Sequence, residues 1–335
     1  MEKANKQRYL GDIISSDSKI DANIKMRYDK GLLINNEIIS ILREVNLGNH
    51  FFEIAFMLHT SLLINGILYS TEALFKLNNQ HIDKLMACER DLLCKVWDCP
   101  RTVPTEALYI EGNITPLKFI LIGRRLMFYW SILNKPKHEL VRQVFDAMSE
   151  FPRNKEDWLS LVKQDLRYLE IDFSDSYIQL MTKCEFRKLV KTKIKDRKRE
   201  YLKGLQDKHS KTKRLTVENS SQAYLSTKLL STSQKQFLFL LRCKMTKNKS
   251  HFKNQFPNLI CRLCLDVNSE ESLIHFCDCS FIKQHIPEIS HVSVDDVYGE
   301  IDDQVKAVEV FMKIFLYIEE AQKDQAHTKC ASCTD

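Results

Sequence analysis

The residues with the plainest chemistry lie late in the 335-residue chain, in the spacing Cys261-x2-Cys264-x10-His275-x3-Cys279. A CxxC turn points two thiolates at one spot. Residues four apart on a helix share a face, so His275 and Cys279 add an imidazole and a third thiolate. Three sulfurs and one nitrogen make the closed tetrahedral set of a structural Zn2+ ion, with no position open for catalysis. The rival fourth ligand, Cys277, is two residues from His275 and would face nearly the opposite way on a helix. Metal binding should supply much of the folding free energy of a segment with so few core residues of its own. A second pair, Cys330-x2-Cys333 with His327 before it, falls in a terminal stretch that reads as an exposed tail.

The next signal is charge. The chain carries a formal net charge of +6, yet the segment from Lys183 to Arg214 holds 14 Lys or Arg against 4 Asp or Glu, which leaves the remainder mildly acidic. The densest part is Lys191, Lys193, Lys195, Arg197, Lys198, Arg199 and Lys203, continued by Lys208, Lys211, Lys213 and Arg214. Arg242 and Lys244, followed by Lys247, Lys249 and Lys253, lead toward the cysteines. Solubility does not require a one-signed run, and a nucleic-acid backbone is the natural acidic partner. Such contacts would hold register on RNA or DNA without reading sequence, and the strip and the metal site are expected to share one strand. Phe252, Phe256 and Phe276 read first as the miniature core of the zinc site and only second as base-stacking platforms.

Composition excludes other classes. The 11 cysteines are odd in number and the late ones fall in CxxC pairs, while Met1 to Tyr9 is polar and basic. Reduced thiols in a nuclear or cytoplasmic protein, not a secreted disulfide framework, are expected. The most apolar window, Phe51 to Leu68, contains Glu53, His59 and Asn65. Leu117 to Leu133 has Arg124 and Arg125 in its middle. Both read as buried helices, and no membrane partner is expected.

With 8 Gly and 7 Pro, the chain has few turns and should be mainly α. Tyr9 to Ser15 (YLGDIIS) reads as a strand without a visible partner, ending in the turn Ser15 to Ser18. Helices are expected over Ile20–Leu42, His81–Trp97 and Thr105–Glu111, and from Pro116, at a first helical position, to about Leu133. Asn134 to His138 is a linker. A helix then carries Phe186, Val190, Ile194, Tyr201 and Leu205 at helical spacing, and Lys208 to Asn219 is irregular. Ser231-Thr232-Ser233 caps a helix with Phe237, Leu238, Leu240 and Leu241 as its core. A last helix runs from about Asp302 to Gln322. The expected organisation is a β remnant over 1–18, a helical domain over 19–135, a helical basic region over 139–255, the knuckle over 256–285, a C-terminal helical segment over 286–322 and a disordered tail over 323–335.

Taken in order, several pieces resemble the C-terminal part of non-LTR (LINE-type) retrotransposon reverse transcriptases. They are YLGDIIS at Tyr9, NIKMRYDKG at Asn23, LINGILYSTEAL at Leu63, PTEALYIEGNITPLKF at Pro104, RRLMFYWSIL at Arg124, HSKT at His209, AYL at Ala223, QFLFLLRCKM at Gln236 and the Cys-Cys-His-Cys knuckle. The resemblance implies a helical thumb that grips template and primer, and a knuckle that binds RNA or target DNA during target-primed reverse transcription. The rest of the retroelement protein would be a partner.

That polymerase holds its Mg2+ ions on palm aspartates, including a Tyr/Phe-x-Asp-Asp hairpin. No such hairpin precedes Tyr9, and Asp295-Asp296 reads as a helix start or turn. The chain alone is therefore expected not to polymerise, and Mg2+ belongs to a palm outside it. Two other readings stand beside this one. One is a non-enzymatic, host-adopted scaffold. The other is a restriction-like endonuclease using Asp295, Asp296 and Asp302, which is disfavoured by the short stretch after the knuckle and by the lack of a strand-borne Glu/Asp-x-Lys.

Overall fold

A computed structural model of the chain describes residues 6–9, 12–15, 20–74, 77–150, 157–172, 174–217 and 222–331. The fold is mainly α. It begins with a hairpin, β1 (Lys6–Tyr9) antiparallel to β2 (Asp12–Ser15), in the register Lys6 to Ser15 and Tyr9 to Asp12. The single unpaired strand expected over Tyr9 to Ser15 is thus two short strands paired to each other. Residues 16–18 of the expected turn lie outside the described residues.

Helix α1 is Asp21–Glu44. A continuous apolar stretch follows as α2 (Phe51–Leu58), a π-helical turn (His59–Ile64) and α3 (Asn65–Ile67). Next come α4 (Asn79–Val96), α5 (Thr105–Glu111) and α6 (Leu117–Leu133). Pro116 caps α6 from outside rather than opening it as the first helical residue. Four helices then follow: α7 (Leu140–Glu150), α8 (Trp158–Tyr168), α9 (Asp175–Leu180) and α10 (Lys183–Gln206). The remaining helices are α11 (Ala223–Ser226), α12 (Thr232–Arg242), α13 (Leu273–Asp278), α14 (Ser280–His285) and α15 (Ile301–Ala331). Residues 323–331, expected to be disordered, continue α15 as helix. Cys330 therefore sits on a helical backbone, and Cys333 lies outside the described residues.

The chain forms two compact units, each drawn from separated segments. The first comprises Met1–Asn46, Glu53–Val96 and Ile114–Leu205. In it α1 packs along α4, with Ile24, Ile38, Leu42, Leu85, Leu92 and Leu93 buried. The helices approach closely at Gly31, where an added Cβ would lie 2.5 Å from Cys88 Sγ and 2.9 Å from Ile67 Cγ2. Beside this contact the buried Asn35 amide donates to Cys88 O at 3.0 Å. The stretch Gly48–Ile67 is, by length and composition alone, apolar enough to cross a membrane, and 33% of that window is buried. Within it His59 is buried and sits 3.0 Å from the fully buried Glu89 carboxylate. The other Glu89 oxygen accepts the Leu117 N–H at 3.1 Å, satisfying one orphan donor at the start of α6. A second cluster joins α6, α8 and α10 through Leu126, Tyr129, Trp158, Val162, Phe186 and Val190.

The second unit comprises Leu47–Phe52, Trp97–Asn113 and Gln206–Asp335. Trp97 stacks on Phe239 at 4.2 Å, and α12 packs on α15. Ser231 and Gln234 close a capping box on α12. Nearly all of α5 is buried, including Glu106 and Glu111.

Gly31→Ala should lower unfolding stability by about 1–3 kcal/mol, because a methyl there overfills the α1–α4 contact. Removing the obstructing sulfur in the Gly31→Ala/Cys88→Ala double variant should return part of the loss. Equal urea midpoints for wild type and Gly31→Ala would contradict the contact.

Candidate metal centre and cationic helix

The metal-centre segment is folded by hydrogen bonds before any ion is considered. Glu271 N donates to Leu259 O at 2.7 Å and Ser250 N to Glu271 O at 3.0 Å, while Ile260 and Glu270 form an antiparallel bridge. These contacts pin both ends of the loop that carries Cys261 and Cys264. The Glu271 side chain is fully buried and accepts from Lys249 N at 3.2 Å, Arg262 N at 3.0 Å and Arg262 Nε at 2.7 Å. Inside the loop Leu265 holds φ at +56°, a left-handed conformation that costs about 1–2 kcal/mol for a residue with a Cβ. Its N–H donates to Cys261 O at 3.1 Å. That tight turn lets both sulfurs of the CxxC face one point.

The other two donors come from α13. Ser272 caps it, its hydroxyl accepting from His275 N at 3.1 Å. His275 lies in its first turn and Cys279 just past its end, with Cys279 N donating to His275 O at 2.7 Å. One helical turn separates imidazole and thiol, as the spacing requires. The ligand atoms of Cys261, Cys264, His275 and Cys279 lie within 4.8 Å of one another, and Cys264 Sγ is 3.4 Å from His275 Nε2. A tetrahedral zinc site with ordinary bond lengths has ligand–ligand edges of about 3.5–3.8 Å. The group can therefore hold a metal ion with small adjustments, and its donors suit zinc. Burial pushes the Cys261 thiol up to about 12, so ionised sulfurs here need a cation beside them. Cys277 is excluded by its direction: its thiol is 3.4 Å from Leu273 O, back along its own helix. Phe276 is fully buried, edge-on to Phe315 at 5.8 Å, and serves as core.

In the other unit, α10 is set by packing. Thr182 and Glu185 form a reciprocal cap, Thr182 N donating to Glu185 Oε2 at 2.8 Å and Glu185 N to Thr182 Oγ1 at 3.3 Å. Phe186, Val190, Ile194, Lys198 and Leu202 follow at intervals of four and are buried or half-buried. One residue further on runs a second row at the same interval: Lys183, Arg187, Lys191, Lys195, Arg199 and Lys203. All six are exposed and none is ion-paired among the described residues. Each step of four residues rises about 6 Å, so the row is about 30 Å long. Lys183 and Arg187, which complete it, are not among the sequence-predicted contacts. The signal that finds them is the strict interval of four, which a local count of charge does not register.

The other predicted cations divide sharply. Lys193 is half-buried. Arg197 pairs with Glu170 and with Glu200, the latter at 2.6 Å. Lys198 belongs to the buried row, where burial lowers its pKa to about 8. In the second unit Lys213 is exposed and Lys244 half-buried, with φ at +52°. Lys211 donates to His251 O at 3.0 Å and stands 5.0 Å from the Phe252 ring centre, which makes it a structural link. Arg214 pairs with Asp295 and lies 4.3 Å over Tyr298. Arg242 corrects the expectation outright. It is 3% exposed, its Nε donates to Glu111 Oε2 at 2.9 Å and its Nη1 to Val297 O at 3.0 Å. The acids Asp295 and Asp296 begin a 3-10 turn, and Asp296 accepts from Ser293 N at 2.7 Å.

Comparison with protein-family models, with curated proteins and with solved structures finds no match for this chain.

Cys264→Ser should abolish stoichiometric metal in the purified protein, and Cys277→Ser should leave it intact. Full metal content in the Cys264 variant would remove that residue from the ligand set. Arg242→Met should destabilise the second unit by about 3–5 kcal/mol, because Glu111 keeps its burial and loses its cation. An unfolding midpoint like the wild type's would refute that role.

Proposed function

We propose that this chain binds nucleic acid through the exposed row on α10, that its Cys3His group is a structural zinc knuckle, and that it is the C-terminal part of a non-LTR retrotransposon reverse transcriptase, lacking the polymerase centre. The observation that carries the binding is the uninterrupted row of six exposed cations from Lys183 to Lys203. No carboxylate of the protein neutralises it among the described residues, although Arg197 on the same helix has two such partners. A polyanion with regularly repeated charge fits such a row better than a single small anion does. Contacts of this kind grip RNA or DNA by the backbone and leave sequence to other elements.

The retroelement origin rests on the ordered motifs from Tyr9 to the knuckle. In this reading the chain works in the nucleus or cytoplasm beside the rest of the retroelement protein, and Mg2+-dependent chemistry belongs to a polymerase domain outside it. The zinc would hold the knuckle's fold and take no part in catalysis, since its four protein donors leave no open position. The nuclease reading loses support from the pairing of Asp295 with Arg214 and the local capping by Asp296. Those acids have structural uses where they stand.

Binding to single-stranded RNA should weaken steeply with added salt. Replacing Lys191, Lys195, Arg199 and Lys203 by Gln should reduce the slope of log affinity against log salt by about 3, the share of four phosphate contacts. Arg197→Gln should change the slope little, because that charge is already paired. A four-site variant with the wild-type slope would remove the row from the argument. No binding by the wild type at about 50 mM salt would overturn the function.

A further inference from the structure

A cavity of about 590 Å³ opens between α4, α6 and α8, wholly within the first unit. Its size is that of a small-molecule site. Each helix turns one complete face into it. From α4 come Asn79, Ile82, Asp83 and Met86, and from α6 come Lys118, Leu121, Ile122 and Arg125. Leu161, Gln164, Asp165 and Tyr168 of α8 complete the wall, with Leu77 and Tyr201 closing the ends. The lining is graded. Leu77, Leu121, Arg125 and Asp165 are buried at the floor, whereas Asn79, Asp83, Gln164 and Tyr168 are exposed at the rim.

One feature of the lining asks for an anion. Arg125 does not, since it is 3% exposed, pairs through Nη1 with Asp165 Oδ2 at 3.0 Å and keeps its Nε closed off from the cavity space. Lys118 lies seven residues earlier on the same helix face. Its ammonium rests 2.9 Å from the Tyr201 ring centre and makes no ion pair among the described residues. Burial lowers its pKa to about 8, and the nearby charge of Asp83 offsets only part of that shift. Between these groups the walls are aliphatic. The neighbouring acids do not cancel the attraction: Asp165 is already matched to Arg125, and Asp83 stands at the rim, where solvent screens it.

We propose that this cavity binds a small amphiphilic anion, with an aliphatic or aromatic body against Leu121, Ile122 and Leu161 and a carboxylate or phosphate head on Lys118. The site is independent of the cationic row on α10, since Tyr201 is the only residue of that helix lining it and carries no charge. A carboxylate and a phosphate monoester share the chemistry, and the choice between them is read from the head group that binds tighter.

The test is calorimetric titration of the full chain with 2-naphthoate, 2-naphthyl phosphate and the neutral 2-naphthol. One saturable site per chain is expected, with the better anion at least about tenfold tighter than naphthol, as a charge-assisted contact requires. Lys118→Gln, at a half-exposed position without an ion pair, should erase that preference while leaving naphthol binding unchanged. Leu161→Trp should fill the cavity and abolish all three. Absence of saturable binding at millimolar ligand, equal affinity for naphthoate, phosphate and naphthol, or an unchanged anion preference in Lys118→Gln would each overturn the site. The lysine variant decides the matter even if Leu161→Trp fails to fold.

Discussion

A carboxylate taken out of water must recover from the protein every hydrogen bond it gives up, and this fold is arranged around four glutamates that do so. Glu89, Glu111 and Glu271 are fully buried, and Glu106 is 1% exposed. The first three tie together segments far apart in sequence, and Glu271 organises a local loop. Glu89 joins His59 to the start of α6. Glu106 accepts from His209 at 2.7 Å and from Thr212 at 2.9 Å. Glu111 takes Arg242 and, at 2.7 Å, the Tyr224 hydroxyl. Glu271 gathers Lys249 and Arg262 around the metal loop. A half-satisfied buried charge is worse than an apolar side chain, so each of these groups fixes one arrangement of its neighbours.

Pairing with the protein's own acids, buried and exposed alike, decides which cations are left for a partner. Lys and Arg crowd the chain from Lys183 onward, and linear counting treats them alike. Folding separates them. Arg242 is consumed by Glu111, Arg214 by Asp295 and Arg197 by Glu170 and Glu200. Lys198 serves as packing through its stem, as long charged side chains often do. Among the described residues the six cations of the row on α10 stay exposed and without an ion pair, as do Lys208 and Lys213. The charge available to a nucleic acid is therefore smaller than the composition suggests, and far more regular.

The legible and illegible parts divide along the range of the interactions. The Cys3His group that could hold a metal ion is legible because a CxxC turn and an i, i+4 pair are local geometry, complete within a few residues. Thr105–Glu111 is legible as a short helix, and Ser231 as a cap. The burial of Arg242 was not, since its partner Glu111 lies 131 residues away and nothing near either residue announces the other. The pairing of Lys6–Tyr9 with Asp12–Ser15 was missed because a short alternating run reads equally well as one strand or as half of a hairpin. The continuation of α15 to Ala331 is not legible because the polar composition there suits a disordered tail as well as a helix, Ala, Gln and Lys being good helix formers.

The row on α10 follows from packing as much as from charge. A straight helix advances about 40° with every fourth residue, so any feature repeating at that interval winds around its axis. The buried residues of α10 repeat at that interval from Phe186 to Leu202, and so does the cationic row one residue further on. The two rows therefore wind together, a constant quarter-turn or so apart. A cation moved one position back along the chain falls into the core, as Lys198 does, and one moved two positions on approaches the acids that hold Arg197. The spacing that keeps each charge free is thus enforced by the core beneath it.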